Sequence, residues 1–216
     1  MNLFGRHFSG LLDFSGRENR QPFWLWVLVV YVFQLIVSLI IMIPLMMAGF
    51  SQMQSMMGND PTYTREHPEI MQQVMMHAVA PMMRGVMLTS AILSLLFVLL
   101  MAAATVRRLH DGDRSGWWCS PYFALQIITP IAYAAVFPTM FDKIGVVRPG
   151  ATPDEVQAAM GPMMQTMMGI QLIGMISFLI MIVLVVFLCL PGTPGPNRFG
   201  DDPLRPPFDP PRPRFP

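Results

Sequence analysis

Four long apolar segments are the feature that most constrains the fold of this chain. They cover residues 23–49, 86–106, 117–137 and 169–190, and none contains Asp, Glu, Lys or Arg. A helix that crosses a bilayer needs about 20 mostly apolar residues. Only 12% of the chain is charged, whereas a soluble domain usually carries about 25%. We therefore predict an all-α integral membrane protein with four transmembrane helices and short amphipathic helices in the outer loops.

The spans divide the chain into three parts. Residues 1–22 are predicted to form a cytoplasmic N-terminal segment, residues 23–190 the transmembrane domain, and residues 191–216 a cytoplasmic Pro-rich tail. Because prolines crowd the tail and no apolar periodicity remains there, we expect it to be disordered or extended.

The positive charges predict the orientation of the spans. Ten of the 14 Lys and Arg residues lie in the three segments that share one side of the membrane. These are Arg6, Arg17, Arg20, Arg107, Arg108, Arg114, Arg198, Arg205, Arg212 and Arg214. Both termini and the 107–116 loop are therefore expected in the cytoplasm. The tryptophans expected to anchor the cytoplasmic interface are Trp24, Trp26, Trp117 and Trp118.

Three polar motifs frame the spans. The sequence FSGRENRQPFW precedes the first span, RRLHDGDRSGWW joins the second to the third, and PGTPGPNRFGDDP follows the fourth. In that order they resemble the bacterial inner-membrane family catalogued as domain of unknown function 805, and with the spans they cover about two thirds of the chain. The resemblance implies a small polytopic protein of the bacterial inner membrane. It implies no established activity and therefore no catalytic residue.

The polar motifs also suggest a site for an anionic ligand. Arginine forks beside glycine-rich turns suit phosphate oxygens, such as those of a lipid headgroup. The candidate residues are Arg17, Arg107, Arg108, His110, Asp111, Arg114, Ser115, Gly116, Asn197 and Arg198. In the alternative interpretation the arginines set the topology and pair with Asp111, Asp113, Asp201 and Asp202, while Gly112 and Gly116 permit a tight turn.

Catalysis is not indicated by these motifs. His110 and Asp111 would suit a general base, but adjacent residues in a turn do not establish the geometry that proton transfer requires. Asp111 and Asp113 are too few carboxylates to define a Mg²⁺ site. We predict a non-enzymatic protein without a cofactor.

Methionine-rich outer loops raise the alternative of copper binding, because thioethers are soft ligands that suit Cu(I). The candidate ligands are Met71, Met75, Met163, Met164 and Met167. Apolar packing competes with this interpretation. Thr152, Pro153 and Glu155 form a helix-start pattern, and the methionines that follow fall on one stripe at helical spacing. Pro162 is expected to kink that helix.

Three functions remain open from the sequence. The first is a membrane protein whose cytoplasmic motifs engage anionic lipid or a protein partner, with homo-oligomerisation undecided. The second is a small transporter or channel subunit, with copper as the candidate ion. The third, which the motifs do not favour, is an enzyme that acts on a lipid phosphate. Ion relays normally need ionisable groups inside the spans, and Ser90 and Ser94 suit close helix packing instead. The net charge of +1 gives no bulk basic field for nucleic acid.

Overall fold

A computed structural model describes residues 3–57, 75–144 and 152–204. Within these ranges the chain forms helices and no strand. The helices are α1 (Leu3–Ser9), α2 (Arg20–Met57), α3 (Ala80–Asp111), α4 (Ser120–Ile144) and α5 (Pro153–Cys189). A π-helical turn, Met75–Val79, leads into α3, and a 3₁₀ turn, Gly116–Cys119, leads into α4.

Helices α2 to α5 confirm the predicted fold class. Each contains a stretch long and apolar enough to cross a membrane. The third helix extends further than its apolar segment, because it continues through Arg107 and Arg108 to Asp111. The two arginines therefore do not end the helix, because both are paired with buried carboxylates, as described below.

Helix α5 also extends further than its apolar segment. It runs without a break from Pro153 to Cys189, with Pro162 inside it. The amphipathic segment predicted before the fourth span is therefore continuous with that span in one helix. The predicted start of this helix is confirmed, since Glu155 accepts from the Thr152 N–H at 2.9 Å and its own N–H donates to the Thr152 hydroxyl at 3.3 Å. This reciprocal pair is a capping box.

The chain contacts divide into two compact units. The first comprises Met1–Phe33, Leu96–Leu125 and Ser177–Pro216. Its helices pack around buried apolar side chains, and the indole of Trp26 donates to the carbonyl of Leu100 at 3.0 Å. The buried core consists of Phe23, Trp26, Val30, Phe97, Met101, Ala104, Leu109, Cys119, Tyr122, Phe123, Leu184 and Leu188. This unit also contains the three polar motifs.

The second unit comprises Gln34–Leu95 and Gln126–Ile176. Glycines bring α2 and α3 close together there, because a Cβ at Gly49 would lie 2.9 Å from Cγ of Met82, and one at Gly85 would lie 2.9 Å from Leu45. Small residues permit such approach between helices in a membrane. The Ser94 hydroxyl donates to the carbonyl of Gln126, which joins α3 to α4.

Candidate functional site

A buried network of arginines and carboxylates lies in the first unit, at the end of α3. We call it the inner arginine network, and it consists of Arg17, Glu18, Arg107, Arg108 and Asp111. Helix α3 positions the last three of these residues on its final turns. The other two lie in the short segment between α1 and α2. The sequence motifs before the first span and after the second therefore meet in space.

Asp111 is held by two arginines. Its Oδ1 accepts from Nη2 of Arg17 at 3.0 Å and from Nε at 3.2 Å. Its Oδ2 accepts from Nη1 of Arg108 at 2.5 Å. The arginine side chains are each 1% exposed and that of Asp111 is 5% exposed. Burying a charge is costly unless it is paired and hydrogen-bonded, and this arrangement satisfies both conditions.

Glu18 is the second buried carboxylate of the network. Its Oε2 accepts from Nε of Arg107 at 3.1 Å, and its Oε1 lies 3.1 Å from Nε2 of His7. His7 belongs to α1, and its ring stacks on Trp26 with the centroids 4.6 Å apart. Glu18 therefore joins α1 to α3. Neither Glu18 nor His7 was among the predicted site residues, although Glu18 directly follows Arg17 in the first motif.

The remaining donors of the buried arginines go to backbone carbonyls. Arg17 donates to Thr193 at 2.7 Å and to Gly195 at 2.6 Å. Arg108 donates to Leu188 at 3.0 Å and also to Leu190. Groups at the carboxyl end of a helix lack intrahelical donors, so Arg108 caps the end of α5. The buried arginines of the network are thus hydrogen-bonded to groups inside the protein.

Arg107 fixes the segment that connects α1 to α2. Its Nη1 donates to the carbonyls of Gly10 at 2.8 Å and Asp13 at 2.5 Å. The carboxylate of Asp13 in turn accepts from the hydroxyl and the N–H of Ser15. The hydrogen bond from the hydroxyl is the main reason that the pKa of Asp13 lies below its usual range, and the bond from the N–H adds to it. The segment between α1 and α2 is therefore held in a defined turn by its hydrogen bonds to Arg107.

The part of the tail that the structure describes is folded against α3, which corrects the prediction of a disordered or extended tail for residues 191–204. The Thr193 N–H donates to the Asp111 carbonyl at 2.8 Å. Asn197 donates to the His110 carbonyl at 2.9 Å and forms a bridge with Gly200. The ring of Phe199 stacks on His110 at 3.8 Å. Residues 205–216 lie outside the described residues.

The turn after α3 uses its glycines differently from the prediction. Its left-handed residue is Asp113, with φ of 53°, and not Gly112 or Gly116. Gly116 is required for close packing, since a Cβ there would lie 2.7 Å from Cγ1 of Val106. Ser115 caps the following 3₁₀ turn by accepting from the N–H of Trp117.

His110 and Asp111 have separate partners. Nδ1 of His110 lies 3.2 Å from the carbonyl of Gly16, which makes Nδ1 the donor. The carboxylate of Asp111 is occupied by Arg17 and Arg108. The two side chains are thus used for joining segments, and the arrangement does not show the aligned acid–base pair that a general base requires.

Other arginines of the first unit lie at its surface. Arg114 is partly exposed and stacks its guanidinium on Phe187 at 4.7 Å, while Trp118 meets the same ring edge-on at 5.2 Å. Arg198 is 62% exposed and pairs with Asp113 at 3.2 Å. Arg20, on the first turn of α2, is also exposed. We call Arg20, Arg114 and Arg198 the outer arginines.

The tryptophans predicted as interface anchors separate into two groups. Trp117 is 81% exposed and Trp118 is 55% exposed, and Trp24 is partly buried. Trp26 is only 1% exposed. Its ring stacks on His7 and its N–H is bonded within the unit, so Trp26 is a core residue and the prediction of an anchor there was wrong.

The methionine candidates do not form a described cluster. Met164 and Met167 are exposed on α5, at 64% and 41%. Met71 lies outside the described residues, as do the side chains of Met75 and Met163. Among the described residues no group of three or more His, Cys, Asp or Glu side chains could hold a metal ion.

Comparison with known proteins identifies the family. The family model described as "Protein of unknown function (DUF805)" matches residues 11–201, which include the four spans, the first two motifs and all but the last two residues of the third. The chain belongs to the DUF805 family. The chain is similar to the inner membrane protein YhaH of Escherichia coli (strain K12), with 23% identity over 203 residues. The similarity covers 94% of this chain and 97% of that protein. The YhaH protein of Escherichia coli O157:H7 matches to the same extent.

No solved structure matches the chain. The family match, the similarity to an inner membrane protein and the four apolar helices together make this DUF805 chain a multi-pass inner-membrane protein.

Proposed function

We propose that this DUF805 chain is a non-enzymatic protein that binds anionic lipid headgroups at the cytoplasmic side of the inner membrane. The outer arginines, Arg20, Arg114 and Arg198, make the contacts with lipid. The inner arginine network stabilises the part of the protein on which the outer arginines lie. This division revises the site that the sequence suggested, in which Arg17, Arg107 and Arg108 were ligands as well.

The observation that carries the proposal is the cluster of Arg114, Trp118 and Phe187. The arginine guanidinium lies over one phenylalanine ring, the tryptophan contacts the same ring in a T-shaped arrangement, and both side chains remain partly or largely exposed. Tryptophan is enriched at the headgroup level of membranes. An arginine near an anionic membrane surface contributes about 1 kcal/mol of attraction. The cluster thus combines the two side-chain types that suit this interface.

The contrast between the two arginine sets supports the assignment. The inner arginines donate to buried carboxylates and backbone carbonyls, so a phosphate would have to displace those partners. The ion pair of Arg198 with Asp113 is largely exposed, and such pairs contribute only about 0–1 kcal/mol. A phosphate oxygen can therefore replace Asp113 at little cost.

The cytoplasmic placement of this surface rests on the distribution of positive charge. Ten of the 14 Lys and Arg residues belong to the two terminal segments and the loop between the second and third spans. Such an excess is typical of cytoplasmic segments. The anionic lipids of that leaflet are then within reach of the outer arginines.

Transport draws less support from the spans. The hydroxyls of Ser90 and Ser94 donate to the carbonyls of Met87 and Gln126. These groups are used for helix structure and packing, as small polar residues often are in membranes.

The test is native mass spectrometry of the full chain from nanodiscs of phosphatidylcholine with a minor fraction of phosphatidylglycerol. Replacing Arg20, Arg114 and Arg198 by Gln should remove the retained phosphatidylglycerol. Arg84→Gln is the matched control, because Arg84 is exposed in the second unit. Equal retention by the triple variant and the control would exclude the proposed site.

A further inference from the structure

A narrow apolar cleft opens in the first unit among the four long helices. Its volume is about 80 Å³, and its lining is almost entirely apolar and rich in aromatic rings. Most of the lining side chains are buried, whereas Tyr31 is 50% exposed and Val185 is 39% exposed. These two residues therefore mark the mouth. Both belong to helices that are long and apolar enough to cross a membrane.

One wall of the cleft continues directly to an outer arginine. Phe23, Trp24, Val27 and Tyr31 line the cleft from α2. Residues three and four apart lie on the same face of a helix. Arg20 precedes Phe23 and Trp24 by these spacings, so it lies on the cleft face of α2, one turn beyond the lining.

The same end of the cleft borders the inner arginine network. Thr105 and Leu188 line it. Arg108 follows Thr105 on the same face of α3 and donates to the Leu188 carbonyl at 3.0 Å. The cleft thus has an apolar interior inside the membrane-spanning helices and a cationic rim at one end.

We propose that this cleft holds one hydrocarbon chain of an anionic phospholipid whose headgroup is bound at Arg20. The proposal rests on the proposed function and adds the recognition of the lipid tail. Hydrocarbon surrounds the membrane-spanning part of the protein, and the almost wholly apolar lining matches it. An apolar cavity of about 150 Å³ is known to hold benzene. A cleft of about 80 Å³ is about half that volume and therefore takes a short stretch of the hydrocarbon chain.

The experiment uses phosphatidylglycerol with a diazirine in its acyl chain, added as a minor component to phosphatidylcholine vesicles that contain the full chain. After illumination, adducts are mapped by peptide mass spectrometry. We expect adducts at Tyr31. Val185→Phe fills the mouth and should lower this labelling by about tenfold, because a few methylene groups lose their place in the cleft.

Val183→Phe is the matched control. Val183 is 49% exposed on the same helix and does not line the cleft, so its substitution should leave the labelling of Tyr31 unchanged. Val185→Ala widens the mouth and should maintain or increase labelling, which provides a second test if Val185→Phe folds poorly. Equal labelling of Tyr31 in the two Phe variants, or labelling of the cleft by an azidoquinone and not by the lipid, would overturn the proposal.

The failure of the two proposals can be told apart. If Arg20→Gln lowers the retention of phosphatidylglycerol but Val185→Phe leaves Tyr31 labelling intact, the headgroup site stands and the cleft proposal fails. If diazirine-labelled phosphatidylcholine labels Tyr31 as strongly as phosphatidylglycerol does, and Val185→Phe lowers both, the cleft takes a chain without selecting the anionic headgroup. That result overturns the cleft proposal in its anionic part, whereas the headgroup site is judged separately by the retention of phosphatidylglycerol in the triple variant.

Discussion

The carboxylate of Asp111 lies where a side chain at Gly192 would have to stand. A Cβ at position 192 would be 2.7 Å from Cγ of Asp111 and closer still to its Oδ2. The same aspartate receives two buried arginines, and its backbone carbonyl accepts from Thr193. The end of α3 and the loop after α5 therefore fit together only with glycine at 192.

Gly192→Ala should destabilise the protein strongly. The added methyl group displaces the Asp111 carboxylate from Arg17 and Arg108, and disrupting a buried ion pair costs about 3–5 kcal/mol. Thermal unfolding in detergent measures the effect. Gly174→Ala is the control, because a Cβ there meets nothing within 4 Å, and alanine favours a helix over glycine by about 1 kcal/mol. Similar melting temperatures for both variants would contradict the role assigned to Gly192.

Asp111→Asn should lower the free energy of unfolding by about 3–5 kcal/mol, because two buried guanidinium groups lose their counter-charge. Asp113→Asn offers a comparison at a neighbouring position. Its pair with Arg198 is 46% and 62% exposed, and such a pair contributes about 0–1 kcal/mol. Urea or heat denaturation of the two variants should separate them clearly, and equal loss in both would refute the assignment.

Glu18→Gln should release α1 from the first unit. The substitution retains a hydrogen-bond acceptor but removes the negative charge that faces Arg107 and His7, both within 3.1 Å. Limited proteolysis of the purified protein should then cut before residue 20 faster than in the parent chain. Asp13→Asn is the control, since the Asp13 carboxylate is exposed and bonded to Ser15. Unchanged protection in Glu18→Gln would show that other contacts dock α1.

A C-terminal fusion of green fluorescent protein should be fluorescent, and a C-terminal alkaline phosphatase fusion inactive. The reason is the excess of positive charge on the two terminal segments and the 107–116 loop. Phosphatase fused after residue 57, beyond the first span, should instead be active. The reverse pattern would invert the orientation and place the outer arginines outside the cytoplasm.

The sequence predicted the four spans because each is apolar over enough residues to cross a bilayer, and this requirement is local. It also predicted the capping box of Thr152 and Glu155, since that motif depends on residues three apart. The polar motifs were found in the same way. What each arginine does within them was left open between lipid binding and pairing with aspartates.

Contacts between distant segments decided which arginines pair with buried carboxylates. Arg17 and Asp111 are 94 residues apart, and Arg108 and Leu190 are 82 apart, so no local pattern indicates that they meet. Burial was equally unpredictable for Trp26, because a tryptophan before a span suits either a membrane interface or a core. By itself the sequence determined the membrane-crossing helices and the polar character of their connections. The tertiary structure decided which arginines are buried and paired inside the protein and which remain at its surface. The reason is that a charge is buried only where residues from distant segments pair with it and hydrogen-bond to it.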